Sequence, residues 1–227
     1  MRLQAITIIL ALLALSCNNR NQNGTIAIGE YTFQFPKDFQ LEEGKGIDSY
    51  VGKIKGDKLW LGFDYGYYSN LIVETPQEYL LKGHWKIDAF SSFVKPKGTY
   101  NAGTTREIEL ISTKQIATHT DSIKFRGADL IALCTLVSDT FEYGIKLPTE
   151  IKEHTFLVDT FSGCYRKIVI ANKPEKGMTG IYIKDLNGFN KSINSFLALS
   201  MATSQITKQQ QDSIVKIFLN VRVAPVK

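Results

Sequence analysis

The chain has 227 residues, of which 44% are apolar, 11% aromatic and 22% charged. That composition excludes disorder, collagen and a coiled-coil rod, and the length suits one domain or two small ones. Three cysteines are too few for a disulfide-stapled miniprotein or a multi-cysteine zinc module, and a net charge of +5 is mild for a nucleic-acid binder.

Residues 1–17 read MRLQAITIILALLALSC. Arg2 precedes an uncharged segment rich in Ile, Leu and Ala, too short for the roughly 20 residues of a membrane-spanning helix. A positive start followed by a short apolar core is the form of a secretory signal. Ala14-Leu15-Ser16-Cys17 then places small residues beside a cysteine. This stretch resembles the lipobox of bacterial lipoproteins. The resemblance implies a signal peptide over 1–16 and a new N-terminus at Cys17 that carries acyl chains. The alternative is an ordinary cleaved signal with an incidental cysteine. Loss of 1–16 removes Arg2, the only charge there, and takes the net charge from +5 to +4.

Asn18-Asn19-Arg20-Asn21-Gln22-Asn23-Gly24 has no apolar side chain, so 17–25 is expected to be a flexible tether. A short signal, a cysteine and an Asn-rich tether resemble lipoproteins of Bacteroidetes-type bacteria. In that group, surface export goes with acidic residues just after the cysteine. Their absence here implies an outer-membrane anchor facing the periplasm.

A single globular domain is expected over 26–227. Residues 26–35 alternate apolar with polar and predict a strand or hairpin, which Pro36 ends. Residues 50–55 alternate again. Gly56-Asp57 makes a turn, and Leu59-Trp60-Leu61-Gly62-Phe63 begins the second strand of a hairpin. Thr75-Pro76-Gln77-Glu78 has the residues of a capping box with proline at the first helical position, and Gly83 stops that helix early. Residues 91–106 hold Pro96, two glycines and several Ser, Thr and Asn, and read as a long loop. Strands are predicted over 107–112, 128–137, 155–161, 165–171 and 180–185, with spacings that suit an antiparallel sheet.

The C-terminal part changes period. Ile193, Phe196, Leu197 and Met201 share one face of a helix over 190–201. Thr207-Lys208-Gln209-Gln210 starts a second helix, and Val221 and Val223 extend toward a last strand. The expected class is α+β: a mainly antiparallel sheet with an N-terminal hairpin and helices packed on it, two of them near the C-terminus. A hairpin ending in Phe35-Pro36, a central sheet and a final helix leading into Ile217-Phe218-Leu219-Asn220-Val221-Arg222 resemble the PsbP/Mog1-type α-β-α sandwich. That family includes assembly and accessory proteins without catalytic sites, so the resemblance implies a fold and does not fix a function.

The densest chemical cluster is Phe63-Asp64-Tyr65-Gly66-Tyr67-Tyr68-Ser69-Asn70. Asp64, Tyr65, Tyr67, Tyr68 and Asn70 could form a recognition surface for a sugar or a peptide, since tyrosine offers an apolar face and a polar tip. The alternative is a strand end whose aromatics cover the sheet. An oxidising compartment permits a Cys134–Cys164 disulfide, about 3–4 kcal/mol in the chain-entropy model. The alternative is two buried thiols. The chain has no Gly-x-Ser-x-Gly elbow, no His-x-x-x-His pair and no Gly-Lys-Ser/Thr phosphate loop, so no catalytic residue, metal or cofactor is expected. The expected function is a membrane-anchored accessory protein that binds an envelope partner. A glycan-binding or small-ligand module is the alternative, and an envelope hydrolase comes third.

Overall fold

A computed structural model describes residues 23–94, 107–137 and 139–224. The expected signal, Cys17 and most of the tether lie outside the described residues, as does 95–106 of the expected loop. The chain forms two compact units. Unit 1 runs up to Ile72 and resumes at Leu157; unit 2 is Val73–Phe156. No shift in composition marks either boundary.

In unit 1, β1 (Asn23–Ile28) and β2 (Tyr31–Pro36) form the expected N-terminal hairpin, joined by β13 (Arg222–Val223) in a three-stranded sheet. β1 starts at Asn23, opposite Pro36, so 23–25 belong to a strand rather than to the tether. Polar side chains there do not prevent ladder hydrogen bonds, because the backbone supplies them. A second sheet has the order β3-β4-β5-β12-β11-β10-β9. Its strands are β3 (Gln40–Glu43), β4 (Tyr50–Lys55), β5 (Trp60–Gly66), β9 (His154–Phe161), β10 (Cys164–Ala171), β11 (Met178–Asn190) and β12 (Ser195–Ser204).

The core of unit 1 lies between these sheets and one helix. Tyr31, Phe33 and Phe35 alternate inward along β2 and are fully buried. They pack in one cluster with Leu61 and Phe63 of β5, Leu199 and Met201 of β12, and Ile214 and Phe218 of the helix Lys208–Leu219. Thr207 caps that helix as expected, through a reciprocal pair with Gln210. Each fully buried side chain of this size contributes roughly 1.5–3 kcal/mol.

Only this helix lies near the C-terminus among the described residues. The helix expected over 190–201 is instead the end of the β11–β12 hairpin and the body of β12. β12 pairs with β11 on one side and β5 on the other. Ala198 and Leu199 are both buried although they point to opposite faces. A central strand covered on both faces loses the clean polar alternation that separates strand from helix.

Unit 2 holds a sheet of β6 (Glu109–Gln115), β7 (Leu130–Leu136) and β8 (Asp139–Ile145), in that order. Its helices are α1 (Pro76–Lys82), α2 (Trp85–Ala89), which runs into a π-helical turn over Phe90–Val94, α3 (His119–Lys124) and α4 (Thr149–Lys152). The long helix of unit 1 is therefore α5. Thr75 and Glu78 form the predicted capping box, and Gly83 closes α1 at φ 70°. Trp85, which donates its indole N–H to the Leu80 carbonyl at 3.0 Å, centres a core with Phe90, Leu130, Cys134 and Phe141.

Candidate functional site

Strand pleating decides which residues of the Tyr-rich cluster meet. Along β5, Leu61, Phe63 and Tyr65 face the core of unit 1, so Trp60, Gly62 and Asp64 face outward. Tyr65 meets Tyr31 edge to face, with ring centroids 6.1 Å apart. Burial is the largest cause that pushes its phenol up to about 12, followed by the charges of Glu30 and Asp185. Tyr67 begins the turn after β5, where its carbonyl accepts from Ser195 Oγ at 2.6 Å. Tyr68 and Asn70 are exposed. The five residues expected to share a surface are thus divided, with Asp64 and Tyr65 on opposite faces of one sheet.

Asp64 belongs to a different constellation. Antiparallel pairs share a face, so Val51 and Ser200 flank Asp64, and Lys53 and Ala202 flank Gly62. Glu42 lies opposite Lys53 in the same row. The central outward positions are Gly62, Ser200 and Ala202, which are too small to fill the space above the sheet. The result is an open groove of about 610 Å³, walled also by Glu43, Gly44, Lys45 and Ile72.

The charges of the groove are unevenly satisfied. Lys55 pairs with Glu42 at 3.4 Å, Tyr50 donates to Glu43 at 3.0 Å, and the Lys53 ammonium sits 5.0 Å from the centre of the Trp60 ring. Asp64 has no ion pair among the described residues, and its Oδ1 is buried without a hydrogen-bond partner. Such an atom costs roughly 1–3 kcal/mol until a donor reaches it. Ser69 Oγ donates to the Asp64 carbonyl at 2.9 Å and lies 3.1 Å from Ser200 Oγ, which ties the turn after β5 to the groove floor.

Gly62 is the open point of that floor. A Cβ there would meet only Trp60, at 3.5 Å. The other described glycines of this sheet are confined: a Cβ at Gly52 would lie 2.5 Å from the Glu42 carbonyl, at Gly66 2.8 Å from Ser49, at Gly180 2.7 Å from the Met201 carbonyl and at Gly188 2.5 Å from Asp185.

Unit 2 carries a smaller depression of about 300 Å³, lined by Lys124, Arg126, Glu142, Tyr143 and Lys146. Glu142 already bridges Lys124 at 2.7 Å and Lys114 at 3.4 Å.

The cysteines do not form a disulfide: Cys134 and Cys164 are free thiols, each buried in the core of its own unit. Burial pushes the Cys134 thiol up to about 11. Cys164 Sγ lies 3.8 Å from the buried Tyr31 hydroxyl, and burial is the main cause that raises its thiol too. Neither is poised as a thiolate nucleophile.

Sequence reading found Asp64 but missed Glu42, Lys53, Gly62, Ser200 and Ala202. The outward Gly62 and Asp64 are legible as period-2 positions once 60–66 is a strand. Ser200 is hidden by the helical reading of 190–201, and Ala202 follows directly after that stretch. No protein-family model matches the chain, and no curated protein matches it either.

Proposed function

We propose that this chain is a lipid-anchored protein of the bacterial cell envelope that binds a partner through the groove of unit 1 and has an accessory rather than a catalytic role. The lipobox-like residues ending at Cys17 support the anchor, since several acyl chains on one cysteine hold a protein stably to a bilayer. The polar residues before β1 then act as the tether, and the lack of acidic residues after Cys17 favours the periplasmic face of the outer membrane. The PsbP/Mog1-type resemblance favours the accessory role by analogy alone.

The observation that carries the binding reading is the groove itself. It joins a floor of small residues to a carboxylate with one buried oxygen that lacks a donor. Concave sites with a few placed polar groups are the usual form of a binding site. A glycan reading draws on Trp60, which is 53% exposed. However, Lys53 already covers a face of that ring, where a sugar would stack. A protein partner is therefore the stronger reading.

Cross-linking in intact cells, followed by affinity purification, tests both halves. Wild type should recover a stoichiometric envelope partner. Gly62→Leu should lose it with the fold intact, because the new side chain enters the groove. Cys17→Ala should leave the precursor uncleaved and without acyl chains. Equal recovery by Gly62→Leu would refute the groove, and acylated Cys17→Ala would refute the anchor.

A further inference from the structure

Resting on that reading of the groove, we infer that it takes a lysine or arginine side chain from an extended segment of the partner. Asp64 is the reason. It is a carboxylate in the groove wall with no ion pair among the described residues and one buried oxygen without a donor. Of the nearby cations, Lys53 lies over Trp60 and Lys55 pairs with Glu42, and neither these nor Lys45 of the groove wall pairs with Asp64. Asp64 lines the groove, so its unpaired charge is within reach of a cationic head that enters there. A cationic donor gains most, because charge-assisted hydrogen bonds are about twice as strong as neutral ones.

The walls fit the rest of such a side chain. Val51 and Ile72 are apolar, and the floor of Gly62 and Ala202 leaves room for an aliphatic stem. Lysine and arginine bury that stem along apolar surface while the head finds a partner. Above it, Glu43, Lys45 and the backbone at Gly44 offer charges of both signs and hydrogen-bonding groups. These suit the amides and neighbouring residues of a peptide, and a simple alkyl amine leaves them unmet.

The test uses the full chain purified in detergent and titrated by NMR with capped five-residue peptides. Gly-Gly-Lys-Gly-Gly and its arginine counterpart should bind at least tenfold tighter than the same peptide with norleucine at the centre. Asp64→Asn, which keeps the side-chain shape, should erase that preference. Gly62→Leu should abolish binding of the cationic peptides. Equal affinity for lysine and norleucine, or a preference that survives Asp64→Asn, would overturn the inference. Pentylamine binding as tightly as the lysine peptide would overturn the peptide source. Binding of a neutral chitobiose probe that Gly62→Leu removes, without any preference for cations, would overturn the cationic inference while leaving the binding groove in place. If no probe of either kind responds to Gly62→Leu, the inference and the binding reading fall together.

Discussion

Arg166 should be the most costly polar residue to remove from unit 1. It lies on β10 with its side chain 9% exposed. Nε and Nη2 donate to the two carboxylate oxygens of Asp159 at 2.8 and 2.5 Å, and Nη1 donates to the carbonyls of Phe218 and Leu219 at 3.2 and 2.9 Å. Those carbonyls end α5, where the helix dipole favours a cation. The guanidinium also lies over the Phe161 ring, 4.6 Å from its centre. Arg166→Met keeps most of the stem but removes every polar contact. Two charge-assisted bonds to helix-end carbonyls contribute about 1.5 kcal/mol each. The ion pair adds at most about 1 kcal/mol, because the Asp159 side chain is 50% exposed and rehydrates when its partner is lost. The expected loss is about 3–4 kcal/mol, or a fall in Tm on the order of 10 °C. Asp159→Asn should cost about 1 kcal/mol or less, since α5 keeps its cap. Urea denaturation gives both values, and hydrogen exchange should locate the lost protection in α5 and β10. The hydrogen bonds from Arg166, above all, hold the Asp159 carboxyl below its usual range. Its contribution is present above the unfolded value near 3.9 and is lost as pH falls through the lower folded value. Asp159→Asn should flatten that acid limb. An Arg166→Met loss under about 1 kcal/mol, or an Asp159→Asn loss as large as that of Arg166→Met, would refute the assignment of the energy to the helix end.

Three further outcomes follow from the same packing. Gly52→Ala should destabilise by about 1–3 kcal/mol in a thermal melt, because its Cβ would meet the Glu42 carbonyl and the Phe63 ring, whereas Gly62→Ala should shift stability by less than about 1 kcal/mol. Tyr65 is raised to about 12 in the folded chain and titrates near 10 when unfolded. Its contribution is therefore full below pH 10 and lost as pH rises through about 12, so Tyr65→Phe should flatten the alkaline limb of a stability profile read by circular dichroism. In Cys17→Ala protein, Cys134 and Cys164 should resist a thiol reagent until denaturant is added; fast reaction in native buffer would contradict their burial.

Much of the fold is legible where local signals agree. Thr75-Pro76-Gln77-Glu78 and Thr207-Lys208-Gln209-Gln210 carry their caps in sequence, and both helices start there. The hairpin around Gly56-Asp57 follows from alternation interrupted by turn residues. Elements that depend on distant partners are less legible. β3 and β8 have weak patterns of their own and exist as strands because β4 and β7 pair with them. The division into two units leaves no local trace at all, because both junctions fall between residues of ordinary composition.

The groove follows the same logic. Its floor is written in β5 and β12, but only the register between them brings Gly62 beside Ala202 and Asp64 beside Ser200. Glycine inside a strand weakens it and is kept where a bulge, a bend or a close approach requires it. Gly52, Gly66, Gly180 and Gly188 each have such a cause within the molecule, since another atom stands where a Cβ would go. Gly62 has none among the described residues: its face is open, Asp64 beside it on that face has one oxygen without a donor, and its β12 partner Ala202 is small. An alanine there would suit the strand better, since its Cβ would meet only Trp60 among the described residues, at an ordinary contact distance of 3.5 Å. Among the described residues nothing crowds position 62, which is the feature of this sheet that accords with the proposed partner in the groove.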